Sequence, residues 1–101
     1  MLVDGLPVSS CTTLAADVEG RAVTTIEGIA EAGVLSRVQQ AFIDHGALQC
    51  GFCTSGMVLA TTALLKMNPT PSEAEIRHFL RGNICRCTGY IKIFEAVKSL
   101  V

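Results

Sequence analysis

The sequence contains few aromatic residues: no tryptophan, one tyrosine and four phenylalanines, which make up 5% of its 101 residues. Proteins that bind single-stranded nucleic acid stack bases on aromatic side chains within a basic groove. Here 8 lysines and arginines face 9 aspartates and glutamates, and the basic residues are scattered along the chain. We therefore expect no nucleic-acid partner.

The sequence also lacks long hydrophobic runs and a targeting segment. The longest apolar stretch, residues 56–65, ends at Lys66 and is far shorter than the ~20 residues that cross a bilayer. A secretory signal has a basic region followed by an apolar run, and the N-terminal MLVDGLPV has no such pattern. These absences predict no membrane insertion and a cytoplasmic location, where thiols stay reduced.

Cysteine, in contrast, is plentiful. The chain has five cysteines, and this odd number argues against a disulfide framework and favours metal binding or redox chemistry. Cys50 and Cys53 form one close pair in QCGFCTSGM, and Cys85 and Cys87 form another in GNICRCTGY. Cys11 stands alone.

The patterns of residues 1–24 and 25–101 differ, and we predict a domain boundary between them. In the first part, short apolar runs flank Asp4 and Gly5, which is a hairpin signal. GRAVTT is rich in β-branched residues and favours a further strand. These strands are too few for an independent sheet. From about residue 25 the pattern becomes helical.

Four helical segments are predicted in the second part. In VLSRVQQAFIDHG, the residues Leu35, Val38 and Phe42 recur at helical spacing. TSGMVLATTALLKMN is apolar on nearly all sides, as expected for a helix that its neighbours bury. TPSEAEIRHFLRG is predicted to begin with Thr70 as its N-cap, with Glu73 closing a capping box.

The last helix is predicted to begin at about Tyr90 and to align Tyr90, Phe94, Val97 and Val101 on one face. Tyr90 is expected to be a core residue. Four helices joined by short connections predict a compact, mainly α-helical bundle.

Each cysteine pair precedes a predicted helix, where unpaired N–H groups and the positive end of the helix dipole favour thiolates. Four thiolates can hold either a tetrahedral zinc ion or an iron–sulfur cluster. The 31 residues between Cys53 and Cys85 contain two whole predicted helices, and this long apolar insertion favours the cluster. On spacing alone, zinc and unligated structural thiols stay open as alternatives.

The two cysteine motifs together resemble the helical iron–sulfur domain of the molybdenum hydroxylases, the family of xanthine dehydrogenase, aldehyde oxidoreductase and carbon monoxide dehydrogenase. Cys50, Cys53, Cys85 and Cys87 match the four ligands of that family's 2Fe–2S cluster, which lies within a four-helix bundle. The match extends to the flanking residues Gly51, Phe52, Gly56, Met57, Asn83, Arg86, Thr88, Gly89 and Tyr90. The resemblance implies one 2Fe–2S cluster on these four cysteines.

The resemblance also implies contacts and partners. Gln49 matches a glutamine that contacts the pterin of the molybdenum cofactor, and Cys87 matches a cysteine close to the pterin's amino group. The expected partners are a large subunit with the molybdenum–pterin cofactor and a subunit with FAD. The chain would be a non-catalytic electron-transfer subunit of this oxidoreductase, passing electrons from molybdenum towards flavin. The alternative is a zinc-holding structural or assembly module, or an inactive truncated remnant.

Cys11 belongs to another part of the resemblance. In the family, a β-grasp, plant-type ferredoxin domain with a second 2Fe–2S cluster precedes the helical bundle, and MLVDGLPVSSC matches the stretch that carries its fourth ligand. We therefore expect residues 1–24 to be the C-terminal remnant of that domain and residues 25–101 to be the helical 2Fe–2S domain. Cys11 is expected to be an orphan ligand, and a second cluster is expected only in a full-length form.

Overall fold

The computed structural model describes all 101 residues and shows a small sheet followed by four α-helices, as predicted. The strands of the sheet are β1 Leu2–Val3, β2 Leu6–Pro7 and β3 Val23–Thr24. The helices are α1 Arg37–Asp44, α2 Thr54–Met67, α3 Glu73–Leu80 and α4 Ile91–Lys98. No helix has both the length and the apolar character needed to span a membrane.

The sheet is built around the predicted hairpin. β1 pairs antiparallel with β2, with Leu2 opposite Pro7, so that Asp4 and Gly5 form a two-residue turn. Both turn residues have positive φ angles, 50° and 82°, as the favoured hairpin turn requires. β3 pairs antiparallel with the other edge of β1, and the strand order is β2-β1-β3.

The sheet is stabilised by packing on α2. Leu2 of β1 is 2% exposed and forms a small buried cluster with Leu59 and Ala63 of α2. Three strands of two residues each would be marginal alone, so this contact explains how they stay ordered.

The main core lies between the helices, and α2 supplies the largest share of it. The seven buried residues of α2 are Met57, Val58, Leu59, Ala60, Thr61, Ala63 and Leu64, which confirms that the helix is enclosed by its neighbours. The other helices add Val38 and Phe42 from α1, Ile76 and Leu80 from α3, and Ile93, Ala96 and Val97 from α4.

The predicted start of α3 is wrong. Its N-cap is Ser72, whose hydroxyl accepts the N–H of Glu75, while the Glu75 carboxylate accepts the N–H of Ser72. Thr70 lies in the preceding turn and donates its N–H to Asn68 Oδ1. The Glu73 carboxylate cannot close a capping box, because it pairs with two cations on α3 and α4 instead.

Two of the predicted apolar stripes also differ from the structure. Leu35 lies before the first residue of α1 and is 43% exposed, and Val101 lies beyond α4 and is 53% exposed. The buried face of α4 is formed by Ile93, Ala96 and Val97. The predicted α4 face is therefore rotated, because it included positions outside the helix.

Regular α-helix also begins later than residue 25. The segment before α1 contains a 3₁₀ turn at Ile26–Gly28 and an isolated bridge between Glu31 and Val34. Gly33, with φ +81°, turns the chain within this bridge, and a left-handed residue interrupts an α-helix. The first α-helical residue is therefore Arg37.

Candidate metal centre

The four paired cysteines lie in two loops, each of which leads into a helix. Cys50 and Cys53 lie between α1 and α2, and Cys53 is the N-cap of α2. Cys85 and Cys87 lie between α3 and α4. Both placements confirm that each pair precedes a helix.

A small residue lets the two loops come together. Gly56, in the first turn of α2, lies against Asn83 of the loop between α3 and α4. A methyl group at Gly56 would lie 2.7 Å from Asn83 Oδ1, which is closer than van der Waals contact allows. The missing side chain therefore permits the approach that brings one cysteine pair to the other.

The sulfur atoms meet in pairs across the two loops. Cys50 Sγ lies 3.4 Å from Cys87 Sγ, and the Cys53 thiol interacts with the Cys85 thiol. No three His, Cys, Asp or Glu side chains are grouped closely enough to hold a single metal ion. In a 2Fe–2S cluster with four cysteine ligands, two thiolates bind each iron. The donor set and its two cross-loop pairs therefore fit a binuclear cluster.

Cys85 has the most hydrogen-bonded sulfur of the four. It is 8% exposed, its Sγ lies 3.0 Å from Thr88 Oγ1, and it accepts the Thr88 N–H at 3.4 Å. These bonds from Thr88, together with the N–H of Cys87, lower the pKa of the Cys85 thiol to about 7. Because the thiolate is the form that binds metal, this surrounding prepares Cys85 as a ligand.

Cys53 shows the opposite behaviour. Its partial burial, reinforced by the neighbouring Cys85, raises the pKa of its thiol to about 11. The expectation that a helix N-terminus would favour the thiolate is therefore wrong for Cys53, because burial and the neighbouring Cys85 outweigh the hydrogen bond from its own backbone. A cationic iron centre would reverse this balance, since a coordinating thiol is deprotonated by the metal.

The exposed pair is also asymmetric. The N–H of Phe52 and the Cys87 thiol hydrogen-bond to Cys50 and lower its pKa, while the hydrogen bond with Cys50 raises the pKa of Cys87. The S–H of Cys87 thus donates a hydrogen bond to Cys50, the more acidic of the two thiols.

Tyr90 makes a contact at the site that its predicted core role did not include. Its hydroxyl accepts the N–H of Cys85 at 2.9 Å, so it is more than the core residue that was predicted. Its backbone has φ +68° and ψ −15°, an outlier for a bulky residue that costs about 1–3 kcal/mol. The sequence signal that could have indicated this role is an aromatic residue that follows a glycine and directly precedes a helical pattern.

The remaining predicted residues make few contacts. Gln49 is exposed, and none of the hydrogen bonds of the structure involves its side chain. Cys11 lies in a 3₁₀ turn at Ser10–Thr12, where it is exposed and contacts Ser9 Oγ at 3.5 Å. It contacts none of the four paired cysteines.

Comparison with known proteins relates this site to a family. A family model described as a 2Fe-2S binding domain matches residues 25–98. The chain is 52% identical over 97 residues to the nicotine 6-hydroxylase small subunit of Paenarthrobacter nicotinovorans, covering 96% of this chain and 58% of that protein. It is 52% identical over 99 residues to the xanthine dehydrogenase iron-sulfur-binding subunit of Escherichia coli O157:H7, covering 96% and 62%.

Solved structures give the same result. Quinoline 2-oxidoreductase from Pseudomonas putida 86 superposes with a TM-score of 0.91 at 46% identity, over 96% of this chain and 60% of that chain. Aldehyde oxidoreductase from Desulfovibrio gigas superposes with a TM-score of 0.92 at 37% identity, over 98% of this chain and 11% of that chain. The chain spans about three-fifths of the length of the curated relatives described above. It belongs to the 2Fe-2S binding domain family, among the iron–sulfur subunits and domains of the molybdenum hydroxylases.

Proposed function

We propose that this chain is the electron-transfer part of a molybdenum-containing hydroxylase or dehydrogenase. It receives electrons from a partner that carries the molybdenum–pterin cofactor and delivers them towards a partner that carries FAD. The chain itself supplies no acid, base or nucleophile to the substrate reaction. The observation that carries this proposal is the meeting of four cysteine thiols in two cross-loop pairs, in a chain of this family.

We assign Cys50, Cys53, Cys85 and Cys87 as the cluster ligands. The two cross-loop contacts support Cys50 with Cys87 on one iron and Cys53 with Cys85 on the other. A bound 2Fe–2S cluster supplies one-electron chemistry at a potential that hydrogen bonds and burial set. Cys11 contacts none of these residues, and we assign it no part in this cluster.

The site has a protected side and an open side, which suits electron transfer between partners. Cys85 is buried and hydrogen-bonded by Thr88, so its loop fixes the inner side. Cys50 and Cys87 are exposed and form the outer side. Gln49, beside Cys50, is free to contact the pterin of a partner, as does the glutamine that it matches. Electrons then enter through the outer side.

Exposed apolar side chains next to the cysteines support a docking surface for the molybdenum-bearing partner. Phe52 is 93% exposed and Ile84 is 78% exposed, and they directly neighbour Cys53 and Cys85 in the sequence. Large apolar side chains that stay exposed beside a functional site support a protein interface there. We expect Phe52→Asp to abolish copurification with the molybdenum subunit while leaving the iron content of the chain unchanged.

The five free thiols support a reducing compartment, and we propose the cytoplasm. We also keep the division into residues 1–24 and residues 25–101 as a proposal. Its basis is the change from paired strands to helices, which the family match from residue 25 parallels.

The test is the iron and acid-labile sulfide content of anaerobically purified protein, with absorption spectra before and after dithionite. About two irons and two sulfides per chain, with a colour that bleaches on reduction, are expected. Replacing any of Cys50, Cys53, Cys85 or Cys87 by serine should remove the cluster. Cys11→Ser is the matched control and should keep it. Zinc in place of iron would contradict the proposal.

A further inference from the structure

Tyr90 contacts both the backbone and the sulfur environment of Cys85. Its hydroxyl accepts the Cys85 N–H at 2.9 Å, and its own N–H donates to Thr88 Oγ1 at 3.2 Å. Thr88 Oγ1 in turn lies 3.0 Å from Cys85 Sγ. One side chain and its amide therefore act on Cys85 from two directions.

These contacts settle which atom donates to the sulfur. A cysteine that ligates a metal is a thiolate, which has no proton to give. Thr88 Oγ1 already accepts the Tyr90 N–H, and its own proton is free to be donated to Cys85 Sγ. The order of donation is therefore from Tyr90 N–H to the Thr88 hydroxyl, and from that hydroxyl to the sulfur.

Tyr90 is held in its left-handed conformation by packing that lies away from the cysteines. Its ring stacks on Phe94, with centroids 6.3 Å apart and planes 26° apart. The guanidinium of Arg77, from α3, lies 4.3 Å from the centroid of the Phe94 ring. A strained residue persists where its surroundings over-determine it, and such residues cluster at functional sites.

We propose that Tyr90 is a positioning residue of the iron–sulfur site, which fixes the Cys85 backbone so that Thr88 donates its hydrogen bonds to Cys85 Sγ and thereby raises the reduction potential. The inference rests on the proposed function, because it takes Cys85 as a cluster ligand. Hydrogen bonds to a ligand sulfur stabilise the more negative, reduced state. The potential therefore depends on a phenol oxygen whose one hydrogen bond in the structure is to a backbone amide.

The variant that tests this is Tyr90→Phe in the full chain, since it keeps the ring and removes only the oxygen. We expect the iron content to match that of the unchanged chain and the midpoint potential to fall. The loss of about one hydrogen bond predicts a roughly three- to tenfold smaller equilibrium constant for reduction. For a one-electron couple this is about 30–60 mV. An unchanged or higher potential overturns the proposal.

A double-mutant cycle tests the route through Thr88. Thr88→Val should lower the potential by itself, and Tyr90→Phe should then lower it less than it does in the unchanged chain. Equal shifts of Tyr90→Phe in both backgrounds overturn the route. Thr62→Val is the matched control, because it deletes a hydroxyl that bonds only Val58 O within α2. It should leave the potential unchanged.

A readout without the cluster separates this inference from the proposed function. In the cluster-free chain, amide hydrogen exchange at Cys85 should be roughly three- to tenfold faster after Tyr90→Phe, because the amide loses its acceptor. Unchanged exchange overturns the positioning role even if the variant fails to load iron. If the unchanged chain binds no iron while exchange responds as expected, the proposed function fails and the contact between Tyr90 and Cys85 stands.

Discussion

Helices α1 and α3 begin with reciprocal side-chain caps, whereas α2 and α4 begin with none. Ser36 and Ser72 each accept the N–H three residues on, and the side chain at that position accepts the serine N–H in return. The N-caps of α2 and α4 are Cys53 and Tyr90, and neither makes a side-chain cap hydrogen bond. The two uncapped helices are those that follow the cysteine loops.

This difference separates residues that stabilise the fold from residues that build the site. A capping box satisfies N–H groups at the start of a helix and contributes about 1 kcal/mol. At α2 and α4 those groups have no side-chain cap, and at α2 the Thr54 N–H donates to the Gly51 carbonyl instead. The starts of α1 and α3 are thus stabilised by their own side chains, whereas the starts of α2 and α4 lack this contribution.

The largest expected effect is that of removing the cluster. Because a ligand that binds only the folded state stabilises it, chelation should lower the free energy of unfolding by about 3 kcal/mol or more. Tm should fall by more than about 10 °C, measured by calorimetry. Hydrogen exchange should then increase at the starts of α2 and α4. Equal increases in hydrogen exchange at the starts of all four helices would contradict the difference between the capped helices, α1 and α3, and the uncapped helices, α2 and α4.

The next largest effect on stability is expected at a glycine in the loop that leads into the uncapped helix α2. Gly51, between Cys50 and Cys53, has φ +82°, and Gly51→Ala should destabilise the chain by about 1–2 kcal/mol in urea denaturation. Gly82→Ala is the matched control, because Gly82 has no positive φ and open space around its Cα. It should change the free energy by less than about 0.5 kcal/mol. Similar losses in both variants would argue against backbone strain at Gly51.

The cap of α3 gives a smaller effect, confined to stability. Ser72→Ala should lower the free energy of unfolding by about 1 kcal/mol. Thr70→Ala, at the position that the sequence predicted, should change it by less than about 0.5 kcal/mol. Neither variant should alter the cluster potential, because α3 carries no ligand. A larger loss of stability from Thr70→Ala would support the capping box that the sequence predicted at Thr70.

A further effect is the pH dependence of the cluster-free chain. The pKa of the Cys85 thiol is lowered from 9.0 to about 7, so the stability that it contributes is present above pH 9 and is lost as the pH falls through 7. The pKa of Cys53 is raised to about 11, so its contribution is present below pH 9 and is lost as the pH rises through 11. Urea denaturation should show stability rising from pH 7 to 9 and falling from 9 to 11. Cys85→Ala should remove the rise and reduce the fall, because the neighbouring Cys85 also helps to raise the pKa of Cys53.

The elements that the sequence predicted well are those set by neighbours along the chain. The hairpin at Asp4 and Gly5 and the buried character of α2 follow from local turn preference and from apolar composition. The cap of α3 was mispredicted because Thr70 and Ser72 are both good caps with a glutamate three residues on. The pairing of Glu73 with Lys98, 25 residues away, favours Ser72, and no local pattern contains it.

Two features of the site show the same division. The four ligand candidates were predicted, because two close cysteine pairs in a chain with an odd number of cysteines favour metal binding or redox chemistry. The hydrogen bond from the Cys85 N–H to the Tyr90 hydroxyl could not be predicted from the sequence. It depends on a left-handed backbone conformation at Tyr90, which is unfavourable for an aromatic residue. Stacking of the Tyr90 ring on Phe94 stabilises this unfavourable backbone conformation.

By itself, the sequence determined which residues could bind metal, how many helices form and where the loops between them fall. These properties depend on side-chain chemistry and on periodicity over a few residues. The tertiary structure alone decided that Cys50 meets Cys87, that Cys53 meets Cys85, and that Cys50 and Cys85 are the more acidic thiols. Distances between sulfurs, burial and hydrogen bonds to sulfur arise only when the loop before α2 and the loop before α4 come together, and these quantities set thiol acidity and metal geometry.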